Sequence, residues 1–143
     1  MDTLKVRKMF VRDEGLKLKP YLCTAGKTTI GAGRNLSDVG ITETTAYQML
    51  AEDVQSAEKA CISIFGKGLW EKWSDNRRLG WVNFAFNLGF QRMLAFRNTL
   101  RCGLREDWAG VEAGIRKSAY AKQVGERSER VIAMICREEF PYA

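Results

Sequence analysis

One stretch of this chain breaks a helical rhythm, and it is short. Leu16 and Leu18 alternate with Lys17 and Lys19, and Thr28, Ile30 and Ala32 alternate with Thr29, Gly31 and Gly33. Alternation of period two is a strand signal. Thr24-Ala25-Gly26-Lys27 between the two runs has the composition of a turn. Residues 16–36 therefore read as a small β-hairpin, with a third short strand allowed near Asn35 and Leu36. Ahead of it, residues 3–14 read as a short helix with Val6, Met9, Phe10 and Asp13 on one side, stopped by Gly15.

From Thr42 onward the spacing is helical to the end. Thr42 can cap a helix carrying Ala46, Leu50, Val54, Ala57, Cys61 and Ile64 at i, i+3/i+4 intervals, ended by Phe65-Gly66-Lys67-Gly68. Ser74 can cap the next, in which Leu79 to Leu88 is apolar almost all round, as a buried central helix requires. Asn83 and Asn87 interrupt that helix at i, i+4 and share one face; Gly89 closes it. Further helices are expected at about 93–101, 106–118 and 126–139, with Gly103 and Gly125 near their junctions. The last turns Val131, Ile132 and Ile135 inward and carries Arg127 and Arg130 on another face. The expected fold is α+β and a single domain over 1–143. An N-terminal helix plus β lobe fills about 1–41, a connecting helix about 42–65 and a helical lobe about 66–143, with a cleft between the lobes.

Composition narrows the chemistry. The 143 residues include no histidine. That excludes Ser-His-Asp and Cys-His nucleophiles, histidine bases, HExxH zinc sites and other His-liganded metals. The cysteines at 23, 61, 102 and 136 form no CxxC pair, so no metal and no cofactor is expected. Acid–base chemistry must rest on Asp, Glu, Cys, Lys or Tyr. Lys plus Arg outnumber Asp plus Glu by 23 to 17, giving a formal charge of +6. Such a balance suits an anionic partner: nucleic acid, an acidic membrane, or an acidic polymer such as cell wall. No DNA- or RNA-reading motif is recognisable, and no stretch approaches the ~18 apolar residues of a membrane span. The first fifteen residues are interrupted by Lys5, Arg7, Lys8 and Arg12, which leaves no apolar signal core. Cytoplasmic retention and free thiols are the corresponding expectations.

Glu14 falls where the first helix gives way to the hairpin. A helix C-terminus is electrostatically poor for a carboxylate. A carboxyl that faces an interlobe gap and loses water there can keep a proton near neutral pH. An ordinary surface glutamate at a helix end fits the same position.

The segment resembles a known signature. Glu14, eight residues, Cys23, five residues, Thr29, then Ile30-Gly31-Ala32-Gly33 is similar to the pattern of phage-type lysozymes, glycoside hydrolase family 24. Asp13-Glu14-Gly15-Leu16 and Lys19-Pro20-Tyr21 also fit. So do Asn83-Phe84-Ala85-Phe86-Asn87-Leu88-Gly89, Phe96-Arg97-Asn98-Thr99-Leu100 and Arg127-Ser128-Glu129-Arg130. The resemblance implies a lysozyme-like α+β fold and hydrolysis of the β-1,4 bond between N-acetylmuramic acid and N-acetylglucosamine in peptidoglycan. It implies Glu14 as general acid, Cys23 in the second catalytic position where many members carry Asp, and Thr29 as a holder of the attacking water. Arg127 would lie near Glu14 and Arg130 near Asp13, while Asn83, Asn87 and Thr99 would line or buttress the cleft. Thr99 reads equally as a polar group satisfied inside the core. Arg34 stands where relatives commonly place histidine, and pairs with an acid near Asp38 or meets substrate carboxylates.

A thiol at position 23 is mostly neutral at pH 7 unless nearby cations lower its pKa, and Lys19 and Lys27 are its sequence neighbours. As a thiolate it can orient water or attack the anomeric carbon; as a thiol it packs as a small hydrophobe. The resemblance further implies a monomer with peptidoglycan as partner. Such an enzyme accumulates in the host cytoplasm, reaches the wall after a holin-type pore opens and causes lysis. Rival readings are a lysozyme-like module that binds peptidoglycan without cutting it, a lytic transglycosylase, a basic helical nucleic-acid binder, and a membrane-disrupting role for the Arg-rich last helix.

Overall fold

A computed structural model describes residues 1–142. Packing divides them into two units, Met1–Gln48 and a second that begins at Met49.

In the first unit, α1 (Thr3–Glu14) starts because Asp2 caps it: its carboxylate accepts the N–H groups of Leu4 (2.9 Å) and Lys5 (3.2 Å). It stops at Gly15, whose φ of +79° only glycine adopts readily and whose N–H closes on the Val11 carbonyl at 2.9 Å. Strands β1 (Lys17–Leu22), β2 (Thr28–Gly31) and β3 (Arg34–Asn35) form one antiparallel sheet in sequence order. Tyr21 faces Thr29 and Leu22 faces Thr28, but the register slips before Lys17 meets Gly31. Pro20 lies inside that irregular stretch, where a residue without an N–H costs no ladder bond. A tight turn joins β1 to β2: Cys23 donates its N–H to the Lys27 carbonyl (3.0 Å) and Gly26 donates to that of Cys23 (2.9 Å).

Helix α2 (Glu43–Phe65), capped by the Thr42 hydroxyl on the Thr45 N–H (3.1 Å), begins in the first unit and continues into the second. There follow α3 (Lys67–Lys72), α4 (Asp75–Leu88), α5 (Phe90–Leu94), α6 (Arg97–Leu104), α7 (Trp108–Arg116), α8 (Ala119–Val124) and α9 (Glu126–Arg137). Three features depart from the sequence expectation. Gly66 ends α2 but does not open a loop, since its φ of +81° turns the chain straight into α3. The helix expected at about 93–101 is two helices. The Ala95 and Phe96 N–H groups bond to Arg92 and Met93 three residues back, which tightens and ends α5 before α6 starts. Helix α8 was not anticipated; Ser118 caps it (3.2 Å to the Ala121 N–H) and buried Tyr120 anchors it.

The expected stripe on α2 is buried only at Ala57 and Cys61, with Ile64 half-buried and Leu50 and Val54 exposed; the buried residue of the last turn is Phe65. Burial, with the Glu58 charge adding to it, pushes the Cys61 thiol up to about 12. The core of this unit is aromatic. Phe65 packs on Trp81 (4.7 Å) and edge-on to Trp73 (5.0 Å), and Phe84 meets both Phe96 (5.0 Å) and Tyr120 (5.1 Å) edge-on. Among the described residues no helix is long and apolar enough to cross a membrane.

Helices α4 and α9 approach closely at Gly80. A Cβ there would come within 2.7 Å of the Ile135 side chain and 2.9 Å of its backbone nitrogen. The backbone atom cannot move aside without shifting α9. Gly80→Ala is therefore expected to destabilise the protein by about 1–3 kcal/mol, the usual cost of overpacking, despite alanine's better helix propensity. Urea denaturation would check it; an unchanged midpoint would show that the two helices separate at little cost.

Candidate active site

The first unit carries Glu14, Cys23, Thr29 and Arg34. Glu14 is the last residue of α1, and its exposed carboxyl lies over Gly33. A Cβ on Gly33 would stand 2.9 Å from Glu14 Oε2, 3.1 Å from Cδ and 3.2 Å from Cγ. Position 33 also has a φ of +75°, in the left-handed region. The glycine thus satisfies a backbone requirement and leaves the space in which the carboxyl sits. Gly33→Ala should displace Glu14 and strain the turn together. A misplacement of about 1 Å at a reacting group can cost up to about 10²-fold in rate. The expected result is a fall of that order in wall hydrolysis with an unchanged circular dichroism spectrum. Full activity would show that Glu14 needs no fixed seat.

Cys23 is half-buried at the start of the β1–β2 turn. Its thiol is held below the ordinary cysteine value, first by the Lys27 backbone N–H, then by that of Ala25, which together outweigh partial desolvation, with a lesser contribution from the Thr29 hydroxyl. Backbone donors favour the anion as a nearby cation would. Lys27 thus acts through its main chain, while its ammonium is engaged 3.1 Å away by Asp38. Thr29 is buried on β2, at 3% exposure, and donates its hydroxyl to the Lys27 carbonyl at 2.9 Å. Cys23, Thr29 and Lys27 therefore form one connected group. Arg34 donates from Nε to the Gly40 carbonyl (2.9 Å) and braces the chain after β3. Asp38 is occupied by Lys27 and by Asn35 Nδ2 (2.9 Å) rather than by Arg34.

In the second unit Asn83 on α4 and Arg127 on α9 are joined across 44 residues of sequence. Arg127 donates to Asn83 Oδ1 from Nε (3.0 Å) and Nη2 (2.8 Å). Asn83 Nδ2 then donates to the Tyr142 hydroxyl (3.1 Å), and the Arg130 guanidinium lies 5.6 Å from the centre of the Tyr142 ring. Asn83, Arg127 and Tyr142 border an open, mostly apolar groove of about 330 Å³, whose other walls include Leu50, Val54, Leu79, Val82 and Phe86. Three buried side-chain polar atoms have no partner among the described residues: Trp81 Nε1, Arg130 Nε and the Tyr120 hydroxyl. Burial raises the Tyr120 phenol. Asn87 is half-buried one turn beyond Asn83, and Thr99 lies apart from this cluster on α6, buried beside Gly114. Gly33 was visible only as part of the T-I-G-x-G run, and its contact with Glu14 has no signature in sequence. Tyr142 follows a proline in what reads as a tail, and nothing local ties it to Asn83.

The chain is similar in sequence to known proteins. The phage lysozyme family model matches residues 11–134. A probable T4-type lysozyme 1 of Dictyostelium discoideum is 25% identical over 91% of this chain and 92% of its own length. An endolysin of Acyrthosiphon pisum secondary endosymbiont phage 1 is 32% identical over 82% of this chain and 79% of its own. The pre-baseplate central spike protein Gp5 of Enterobacteria phage T4 is 25% identical over 92% of this chain, which spans 28% of that longer protein. A match over most of the chain, together with a small antiparallel sheet and a helical second unit, settles the assignment: the chain belongs to the phage lysozyme family and is a lysozyme-like muramidase, a glycoside hydrolase.

Proposed function

We propose that this chain hydrolyses the β-1,4 bond between N-acetylmuramic acid and N-acetylglucosamine in bacterial peptidoglycan, with Glu14, Cys23 and Thr29 as its chemical groups. The observation that carries the reading is the pairing within the first unit. A carboxyl is seated over Gly33, and a thiol is held toward its anion by two backbone N–H groups and the Thr29 hydroxyl. Glycoside hydrolysis needs one group that gives a proton and one that carries negative charge. Glu14 gives its proton to the glycosidic oxygen as the bond from that oxygen to the anomeric carbon breaks. Water held by Thr29 adds to the anomeric carbon and passes a proton toward the Cys23 thiolate.

Arg34, Asn83, Asn87, Thr99, Arg127 and Arg130 bind or support the glycan. Arg127 presents a guanidinium whose orientation is locked by its two bonds to Asn83. The net charge of +6 speeds encounter with an acidic wall and loses that effect as salt rises. In its biological setting the enzyme accumulates in a host cytoplasm, meets the wall after a holin-type pore opens, and lyses the cell.

Digestion of purified peptidoglycan, with mass and anomer analysis of the fragments, tests this. Hydrolysis adds one water per cut and leaves reducing muramic ends. Inversion at the anomeric carbon assigns Cys23 to water, and retention assigns it to direct attack. Anhydro-muramic ends, or binding with no new reducing ends, would overturn the reading.

A further inference from the structure

We propose that Asp38 and Ser37 are positioning residues for Cys23: from the turn after β3 they clamp the far end of the β1–β2 turn, and the clamp fixes the backbone donors that face the sulfur. The inference rests on the reading of Cys23 as one of the chemical groups.

The β1–β2 turn has little to hold it from within. Thr24, Ala25 and Gly26 are exposed at its tip, and Gly26 has a φ of +73°. Exposed turn tips of this kind move on the nanosecond-to-microsecond scale. A hydrogen bond weakens steeply as its angle departs from linear. A donor in such a turn therefore favours an anion only while something holds the turn in place.

Residues 35–38 supply the hold. Asp38 accepts Lys27 Nζ on Oδ1 (3.1 Å) and Asn35 Nδ2 on Oδ2 (2.9 Å), and its own N–H donates to Asn35 Oδ1 (3.1 Å). Ser37 Oγ accepts the Thr28 N–H (2.9 Å), and the Leu36 N–H donates to the Thr28 carbonyl (2.8 Å). Asn35 is paired with Thr29 across β2 and β3, so the clamp is built on the sheet. Lys27 carries the connection. Its side chain is held by Asp38, its carbonyl accepts the Cys23 N–H (3.0 Å) and the Thr29 hydroxyl (2.9 Å), and its N–H faces the thiol. One residue thus links Asp38 to the sulfur and to Thr29.

A role through charge and a role through position have opposite signs. If Asp38 acted by its charge alone, removing it would take away an anion and release the Lys27 ammonium, and the thiol would ionise more readily. If Asp38 holds the turn, removing it loosens the donors, and the thiol ionises less readily. Ser37→Ala isolates the second effect. It leaves every charge around the turn in place, those of Glu14, Lys17, Lys19, Lys27, Arg34 and Asp38.

Alkylation of the full chain with iodoacetamide across a range of pH, read by mass analysis of the Cys23 peptide, reports the thiolate without any wall substrate. In Asp38→Asn one amide oxygen must serve two donors, and in Ser37→Ala the Thr28 N–H loses its acceptor. In each, reaction of Cys23 at neutral pH should slow by about three- to tenfold, the loss of one hydrogen bond. The midpoint of the profile should move up, with rates converging at alkaline pH. Ser37→Thr keeps the hydroxyl and should react as the wild type does. Faster alkylation in Asp38→Asn, or unchanged profiles in both variants, would overturn the clamp. Both residues are exposed; should one variant unfold, which alkylation of buried Cys61 would reveal, the other decides. Slowed alkylation with undiminished hydrolysis of peptidoglycan would keep the clamp and remove Cys23 from the reaction, so the two readings fail separately.

Discussion

Glu14→Gln is expected to reduce release of reducing ends from peptidoglycan by about 10²–10⁴-fold, the range for loss of one general acid. The amide keeps the shape of the carboxyl, so the space over Gly33 still accommodates it. Neither the Asp2 cap of α1 nor its Gly15 stop is touched. What disappears is an acidic proton for the leaving oxygen. The unfolding free energy should stay within about 0.5 kcal/mol of wild type, as for most exposed substitutions away from packed features. The loss should fall in kcat rather than KM, because a proton in flight belongs to the transition state. Near-normal turnover would remove Glu14 from the mechanism.

The second large effect concerns sulfur. Cys23→Ser should lose activity by about 10²-fold or more, because a serine hydroxyl stays neutral where a thiol can ionise. The Lys27 and Ala25 N–H groups and the Thr29 hydroxyl remain in place, now facing a neutral oxygen. Cys23→Asp restores a negative charge to the same donors and should regain part of the activity. The pH dependence separates the two. Thiolate builds up as pH rises through a value below the ordinary thiol range, so the acid limb of the wild-type profile follows that lowered value. In the Asp variant the limb moves further toward acid, into the carboxylate range. Alkylation gives a direct check. Cys23 should react at lower pH than Cys61 and Cys136, whose thiols burial pushes up to about 12 and about 11. Full activity in Cys23→Ser would leave the sulfur a packing role only.

These effects rest on residues of different legibility. The order Glu14, Cys23, Thr29 and the T-I-G-x-G run can be read along the chain. The source of the low thiol value cannot. Charge near Cys23 in sequence suggested lysine ammonium groups, but a five-residue turn folds back so that backbone N–H groups reach the sulfur and the Lys27 ammonium goes to Asp38. Arg34 similarly suggested an ion pair, while its Nε donates to the Gly40 carbonyl.

By itself the sequence determined the elements whose ends are chemically marked. Gly15 ends α1, Ser74 and Gly89 bound α4, and the alternation that runs through Thr28–Gly31 makes a strand. Caps and periods act within one or two turns, so a linear string records them. Tertiary structure alone decided that the 93–101 segment splits, that α8 exists, and that only part of the α2 stripe is buried. It alone set Gly33 beneath Glu14, joined Asn83 to Arg127 and Tyr142, and packed Thr99 against Gly114. Each of these depends on which side chains meet across turns and between helices. Spacing along a chain states how far apart residues are in sequence, not which of them fill the same volume.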